Sequence, residues 1–310
     1  MKGYIELLRI IGIPNIIEGS YNYNDSLKEL SRQNKIEMFY NKRCNRSMVK
    51  EEQKYKMIID TVCEFAELFN NTVDYAIFKT LKPFPYIPSD IDILVRRRDI
   101  EKINKLLYNK RYTLLEKNKF CISIRRDVTI DLYIEPSVSN IAYLRTDLLL
   151  ENIRDIEYNG INVTFLKPEA EIVGIISHSY FKEQMVTLND YYALVLLAEM
   201  ANIDDIIKLA DDANINKLLT IYVSICKTIT NEAFGELDLK INLLADKLGY
   251  TMINIDSMPY KFQIKNVMLD LFAKLRNDGY STSELLKAFT HTLHPSQILK
   301  VIDHIRRDTY

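Results

Sequence analysis

Apolar residues recur every three or four positions through much of the first seventy residues. A period near 3.6 residues places such side chains on one face of an α-helix. The pattern therefore predicts a small helical lobe over residues 1–70. The apolar side chains that follow this spacing are Leu27, Leu30, Met57, Ile58, Val62, Phe65 and Phe69.

Alternation of apolar and polar residues replaces the helical period after residue 70. Two β-rich segments, Val73–Phe78 and Ile91–Val95, are predicted strands, and the loop 81–89 between them carries three prolines. Asp99 is placed to cap a helix over 100–107. Further antiparallel strands are predicted at 111–115, 120–125 and 128–134, and a hairpin is predicted to turn at Asn159-Gly160 in the type I′ form.

Helical spacing returns at Pro168 and continues to Tyr310 with short breaks. Proline is well suited to the first position of a helix, so Pro168 marks the predicted start. Together the patterns predict an α+β protein with a small mixed sheet. Its predicted units are an N-terminal helical lobe (1–70), an α/β core (71–167) and a helical C-terminal domain (168–310).

The composition is that of an ordinary folded protein and excludes disordered and fibrous classes: 47% of residues are hydrophobic, and 41 Lys+Arg balance 42 Asp+Glu. No apolar run reaches the roughly 18 residues that span a bilayer. The four cysteines include no C-x-x-C pair and are expected to be reduced thiols, mostly in the core. We expect a cytoplasmic protein without a membrane partner, and the sequence predicts no oligomeric state.

Positive charge is concentrated locally. Between Arg96 and Arg126 there are 11 Lys and Arg against three acids. Such a stretch can receive a triphosphate or a polyanionic acceptor such as RNA, or it can be a solvated surface.

Two carboxylates stand at the start of the second predicted strand, in Ser89-Asp90-Ile91-Asp92. Alternation directs both acidic side chains to the same face. Two negative charges at this distance raise each other's pKa unless a cation lies between them. Mg²⁺ (or Mn²⁺) is the natural cation, because it prefers oxygen ligands and is commonly held by one or two carboxylates and substrate phosphates.

A third acid, Asp131, lies within the predicted strand 128–134. Three carboxylates from two strands can hold two metals, one activating an attacking hydroxyl and one stabilising a leaving pyrophosphate. The alternative interpretation is structural: Asp90 caps a turn, Asp92 pairs with an arginine, and Asp131 is a solvated residue.

These residues resemble the signature of the nucleotidyltransferase superfamily, whose catalytic core is the polymerase-β-like fold. The matching features are an apolar strand that ends at Lys79-Thr80, a loop, the D-x-D of Asp90 and Asp92, and the later Asp131. The resemblance extends over residues 25–200 and is closest to an uncharacterised bacterial and archaeal branch with a Lys-Gly pair at the end of the first strand. It implies an NTP substrate and a divalent metal.

The resemblance also implies which residues contact the nucleotide. Lys79, Thr80 and Ser89 are expected at the triphosphate. Thr80 stands where the family usually has a glycine, which lets backbone amides approach the phosphates. Lys182 is expected to contact phosphate, because its segment resembles the helix after the catalytic core in abortive-infection-type nucleotidyltransferases.

Several other polar residues are given structural interpretations. His178 is expected to be a hydrogen-bonded structural histidine, and Asp190 an N-terminal helix residue near the cap. His291 and His294 fit a loop between helices better than a metal pair, because no cysteine or acid cluster completes a site.

The sequence thus predicts a metal-dependent nucleotidyltransferase that moves an NMP from an NTP to a hydroxyl of RNA, protein or a small molecule, with release of pyrophosphate. Asp90, Asp92 and Asp131 are the predicted catalytic and metal-binding residues. The alternative is a catalytically degenerate nucleotide- or RNA-binding protein of the same fold, such as a regulatory partner in a two-gene system. A glycosyltransferase also uses D-x-D, but Asp131 and the early position of the motif disfavour it.

Overall fold

The computed structural model describes residues 2–108, 110–138 and 141–281. His291, His294 and the helices predicted beyond residue 281 lie outside the described residues. In the N-terminal part the helical spacing corresponds to real helices, and a short hairpin follows the first of them. The elements are α1 (Gly3–Ile11), β1 (Gly12–Ile13), β2 (Ile17–Glu18), α2 (Asp25–Gln33), α3 (Glu37–Arg43) and α4 (Val49–Phe69).

A seven-stranded mixed sheet occupies the middle of the chain. The elements of this region are β3 (Tyr75–Phe78), β4 (Asp90–Val95), α5 (Ile100–Leu107), β5 (Thr113–Lys117), β6 (Cys121–Arg125), β7 (Thr129–Tyr133), β8 (Ser137–Val138), β9 (Ile141–Ala142), α6 (Thr146–Leu150), β10 (Ile153–Tyr158) and β11 (Ile161–Leu166). The strand order of the sheet is β10-β11-β3-β4-β7-β6-β5. Within it β11 pairs with β3 in parallel and β4 with β7 in parallel, while the other neighbours are antiparallel.

Helices make up most of the described chain after Pro168, which stands at the first helical position as predicted. A π-helical turn, His178–Glu183, follows the first of these helices directly. The elements are α7 (Pro168–Ser177), β12 (Met185–Val186), α8 (Leu188–Met200), α9 (Ile203–Asp212), α10 (Asn216–Phe234), α11 (Lys240–Lys247), β13 (Tyr260–Lys261) and α12 (Ile264–Asn277).

The two faces of the sheet pack against different helices because side chains alternate along each strand. Ile77, Ile93 and Ile130 belong to a core cluster that also contains side chains of α4 and α5. Phe78 and Leu94 point to the other face and belong to a larger cluster with α1, α7, α8 and α10. The helices of residues 1–70 therefore contribute to both clusters. The three-unit division of the chain stays a prediction.

The α+β class and the mixed sheet predicted from the sequence are confirmed. At the Asn159-Gly160 turn both residues have positive φ, 52° and 80°, as a type I′ turn requires. The prediction for Asp99 is wrong in one respect. Asp99 stands directly before α5 but makes no side-chain capping bond, because its backbone is already helical at the end of a 3₁₀ turn (φ −92°, ψ −6°), whereas a capping residue is typically extended. Its carboxylate instead accepts from the Asp74 N–H.

All four cysteines are free thiols. Cys63 and Cys226 are buried, whereas Cys44 and Cys121 are partly exposed. Among the described helices, none has the length and apolar character needed to cross a bilayer.

Candidate active site

Strands β4 and β7 bring three acidic side chains together at one end of the sheet. The strands pair in parallel with Asp92 opposite Asp131. Asp90 is two residues before Asp92 and therefore lies on the same face. One oxygen from each of these three carboxylates lies within 4.8 Å of those of the other two. The three acids singled out in the sequence thus form one cluster, which we call the acid triad.

Burial alters the acid–base properties of two of these carboxylates. Asp92 is 6% exposed, and burial raises its pKa to about 6 despite the nearby Lys79 ammonium. Burial also raises the pKa of Asp131, against the effect of the hydrogen bond that Ser123 donates to it. A cation bound between the carboxylates would favour their charged forms.

The donor set of the acid triad fits a hard divalent cation. All three ligands are carboxylates, and oxygen is the ligand that Mg²⁺ prefers. Asp92 Oδ1 is buried and has no hydrogen-bond partner among the described residues. A buried carboxylate oxygen in this state costs free energy that a bound cation would offset.

Lys79 directs a positive charge into the acid triad. Its φ of 55° is left-handed, and its N–H donates to Glu171 Oε1 at 2.8 Å. Its Nζ lies 3.0 Å from Asp92 Oδ2 and 3.1 Å from His178 Nδ1. The ion-pair partner of Asp92 is therefore a lysine. The alternative, structural interpretation of the sequence expected an arginine at this point.

Thr80 lies beneath the site, 1% exposed. Its hydroxyl donates to the Phe78 carbonyl at 3.1 Å and accepts from the Asp92 N–H at 2.9 Å. The hydroxyl thus joins the ends of β3 and β4. Ser89 is more accessible: it donates to Asp90 Oδ1 at 2.7 Å.

The π-helical turn places several polar side chains next to the acid triad. Its wider coil brings residues five positions apart into contact, with His178 Nε2 2.9 Å from Glu183 Oε1. The Tyr143 hydroxyl lies 3.1 Å from His178 Nδ1. Burial and the adjacent Lys79 hold the pKa of His178 well below its usual value. His178 is a neutral, hydrogen-bonded residue, which agrees with the interpretation of it as structural.

Lys182 extends from the same turn toward the triad. Its Nζ donates to the Tyr133 hydroxyl at 3.0 Å. Burial disfavours its charge, but Glu183, Asp92 and Asp131 together raise its pKa above the usual value. Lys182 therefore remains an ammonium within the site.

Asp190 lies at the start of α8, as predicted from the sequence. Its carboxylate accepts from the Thr187 N–H at 2.9 Å, and the two residues form a capping box. The cap fixes the beginning of α8 beside the site.

A cavity of about 310 Å³ opens beside Asp90 and Asp92. Its volume is at the lower end of the range for small-molecule sites. Several ammonium groups close to an acid cluster suit a ligand that brings both phosphates and a metal. The charged residues that line the cavity are Lys35, Lys79, Lys82, Lys182, Asp90, Asp92, Glu183 and Asp190.

The sequence analysis missed several residues of this site, among them Lys35, Lys82 and Glu171. Lys35 reaches the cavity from a left-handed turn (φ 57°) between α2 and α3, and no local signal connects it with the D-x-D. Lys82 lies in the proline-bearing loop, where burial lowers its pKa. Glu171 is 8% exposed, and an acid within the apolar segment of α7 was a signal that it has a buried partner.

The matched family agrees with this geometry. A sequence model of a family described as uncharacterised nucleotidyltransferase matches residues 87–231. The matched span includes the whole acid triad and Lys182. The family match and the geometry of the acid triad support assignment of the chain to the nucleotidyltransferase superfamily. Lys79 and Thr80 lie before the matched span.

One solved structure similar to this chain is an antigenic nucleotidyltransferase-like protein from Paracoccidioides brasiliensis. It is 14% identical, with a TM-score of 0.41, and the similarity covers 60% of this chain and 95% of that chain. No curated protein sequence matches the chain.

Proposed function

We propose that this protein is a metal-dependent nucleotidyltransferase that moves an NMP from an NTP to an acceptor hydroxyl and releases pyrophosphate. The observation that supports this most directly is the acid triad: one oxygen of each carboxylate lies within 4.8 Å of one oxygen of the other two, beside a lysine-lined cavity. The similarity of residues 87–231 to a family of nucleotidyltransferases supports the same reaction class.

Asp90, Asp92 and Asp131 would hold the metal, Mg²⁺ or Mn²⁺. When bound, the metal supplies positive charge that activates the attacking hydroxyl and stabilises the leaving group. The buried and unsatisfied Asp92 Oδ1 supports this assignment.

The lysines that line the cavity are the proposed contacts of the triphosphate. Lys79 and Lys182 lie nearest the triad, and Lys35 and Lys82 line the same cavity. Ammonium groups held in place before the reaction stabilise the charge that develops on the leaving pyrophosphate. Ser89, which also lines the cavity, is a further proposed nucleotide contact.

Thr80 contributes differently from the sequence-based expectation. Its hydroxyl already donates a hydrogen bond to the Phe78 carbonyl and accepts one from the Asp92 N–H. We assign it the role of positioning the D-x-D strand, in place of the expected phosphate contact.

In the proposed reaction the acceptor oxygen attacks the α-phosphorus. The bond from the α-phosphorus to the oxygen that bridges to the β-phosphate breaks, and this oxygen leaves with pyrophosphate. The hydroxyl proton passes to the Asp131 carboxylate.

Transfer of label from α-³²P-labelled NTPs to RNA and protein acceptors tests the proposal. With Mg²⁺ present we expect labelled acceptor from the wild type and a loss of at least about a hundredfold in Asp92→Asn, because charge stabilisation of the transition state is lost. Asp238→Asn is the matched control, since Asp238 is exposed and distant in sequence from the site. Equal transfer by the wild type and Asp92→Asn contradicts the proposal.

One observation favours the alternative, a nucleotide-binding protein without turnover. Lys79 already neutralises part of the charge of Asp92 at 3.0 Å, which reduces the demand for a metal. Equilibrium binding of NTP and Mn²⁺ by the wild type, abolished in Asp92→Asn, with no transfer to any acceptor, supports this alternative.

A further inference from the structure

The acid triad has two different surroundings. On the Asp92 side is the lysine-lined cavity, beside α7, α8 and the π-helical turn. Asp131 is not among the described residues that line this cavity. Beyond Asp131 the sheet continues into β6 and β5, its last two strands on that side.

The strand register shows which side chains adjoin Asp131 on that side. Ser123 of β6 stands opposite Asp131, and Arg125 stands opposite Thr129. Ile122 and Ile124 are buried against the opposite face, so alternation directs Ser123 and Arg125 to the face of the acid triad. Arg125 is exposed there. This part of the sheet is open to a ligand too large for the cavity.

Positive charge without ion-pair partners occurs along β5, β6 and the segments next to them. Of the 11 Lys and Arg between residues 96 and 126, four form ion pairs: Arg96, Arg98, Lys110 and Arg126. The other seven are exposed and have no ion pair within the described part of the chain. Four of these seven lie on β5, on β6 or in the segments next to them, and we call these four the basic edge: Arg111, Lys117, Lys119 and Arg125.

Part of the basic edge lies at the same end of the sheet as the acid triad. Thr113, the first residue of β5, stands opposite Arg125, which stands opposite Thr129, the neighbour of Asp90 on β4. The segment that leads into Thr113, including Arg111, therefore approaches this end.

Apolar side chains are exposed among these cations. Tyr108 is 86% exposed, Leu114 57% and Leu115 51%. Cations that contact phosphates, interleaved with an exposed aromatic ring, are the usual composition of a surface that binds single-stranded nucleic acid.

We propose that the acceptor is a nucleic acid, bound along the basic edge so that its terminal hydroxyl approaches the acid triad from the Asp131 side. This inference rests on the proposed function. The phosphates contact the basic edge, including Arg111 and Arg125, the bases pack on Tyr108 and the exposed leucines, and the NTP occupies the lysine-lined cavity.

Fluorescence anisotropy with 3′-accessible single-stranded RNA and DNA oligonucleotides, in separate titrations without NTP, tests the proposal. We expect wild-type binding that weakens as salt rises. The double variant Arg111→Glu/Arg125→Glu is expected to bind at least tenfold more weakly. In this variant the slope of log affinity against log salt concentration should be smaller in magnitude by about 1.4, because each phosphate contact to a single strand contributes roughly 0.7 to that slope.

The matched control is Lys208→Glu/Lys265→Glu, which makes the same change of net charge on exposed lysines of α9 and α12. We expect it to bind like the wild type. Equal weakening in both double variants, unchanged binding by Arg111→Glu/Arg125→Glu, or no binding of either oligonucleotide by the wild type overturns the proposal. The RNA and DNA titrations decide which of the two nucleic acids is the acceptor.

A separate measurement distinguishes this inference from the proposed function. NTP binding in the presence of Mn²⁺ should be the same in Arg111→Glu/Arg125→Glu and the wild type, since neither arginine lines the cavity. If labelled NMP appears on protein and nucleic acid does not bind, the acceptor assignment is wrong and the transferase proposal stands. If the wild type binds oligonucleotides but transfers no label, the transferase proposal fails instead.

Discussion

At the scale of single residues, Lys79 shows how this chain adapts a position that favours glycine. A left-handed conformation costs a side-chain-bearing residue about 1–2 kcal/mol. Lys79 adopts it with φ 55°, and Thr80 does not have a positive φ. The hydrogen bond from the Lys79 N–H to the buried Glu171 offsets this cost. The departure from a glycine-containing turn is therefore compensated by a carboxylate from α7.

His178 gives a pH-dependent contribution to stability. The unfolded chain binds a proton near pH 6.5, whereas the folded protein keeps His178 neutral to a much lower pH, because burial, Lys79 and Lys182 disfavour its charge and outweigh Glu183. The unfolded state therefore binds more protons below pH 6.5. We expect stability from this group to be lost as pH falls below 6.5, by about 1.4 kcal/mol per pH unit.

Urea denaturation of the wild type and His178→Gln between pH 5 and 8 measures this effect. The difference in unfolding free energy between the two proteins isolates His178, because Asp92, whose pKa is raised to about 6, titrates in both. A difference that does not change with pH refutes the prediction.

Single residues also show where sequence analysis was sufficient. Asp90 and Asp92 were predictable because strand alternation is a local property. Asp131 required only that two strands be neighbours. Glu171 and Lys35 were not predictable, because the contacts that bring them to the site depend on how distant helices pack.

At the scale of elements, periodicity predicted the strands well and their ends less well. The predicted strand 111–115 is displaced to Thr113–Lys117, because Arg111 has a left-handed φ of 58° and ends the preceding turn. The π-helical turn was not predicted. Its apolar and polar residues continue the pattern of α7, and the extra residue in the coil leaves no mark in that pattern.

Helix α7 approaches β3 closely because it has a glycine at the contact. A Cβ added to Gly174 would lie 2.4 Å from Phe78 Cε2, and Phe78 is 1% exposed. We expect Gly174→Ala to lower the unfolding free energy by about 1–3 kcal/mol, although alanine is the better helix former by about 1 kcal/mol.

A double-mutant cycle with Phe78→Leu, followed by urea denaturation, checks this contact. We expect Gly174→Ala to be less destabilising when leucine replaces the ring, since the steric conflict is then removed. Additive effects of the two substitutions would show that the helix accommodates the methyl group elsewhere.

At the scale of the whole molecule, the acid triad belongs to a sheet that both core clusters hold in place. Helices from the first seventy residues pack on one face together with the C-terminal helices, and α4 packs on the other. The mixed sheet and the helical regions were predictable from periodicity. The distribution of N-terminal helices over both faces was not, because an amphipathic helix does not specify which partner it will contact.

This arrangement predicts that metal binding stabilises the molecule as a whole. Three carboxylates from two strands are brought together only in the folded state, so a ligand of the triad favours folding by mass action. At a hundred times its Kd the metal should add about 2.7 kcal/mol. Thermal unfolding with increasing Mn²⁺ should raise the Tm of the wild type and of Asp238→Asn. An equal rise in Asp92→Asn would contradict the assignment of the triad as the metal site.

Because of the π-helical turn, the positions of His178 and Lys182 in the site depend on the number of residues in this segment. Successive residues of an α-helix are rotated by about 100° around its axis. Loss of one residue from His178–Glu183 would allow the coil to tighten into a regular α-helix and would turn either His178 or Lys182 away from the triad, with every side chain of the segment otherwise retained. Short β12–β13 pairing, in which Met185 stands opposite Lys261, anchors the end of this turn to the distant C-terminal part. We therefore expect a deletion or insertion of one residue in this segment to disrupt the site as much as a substitution of His178 or Lys182.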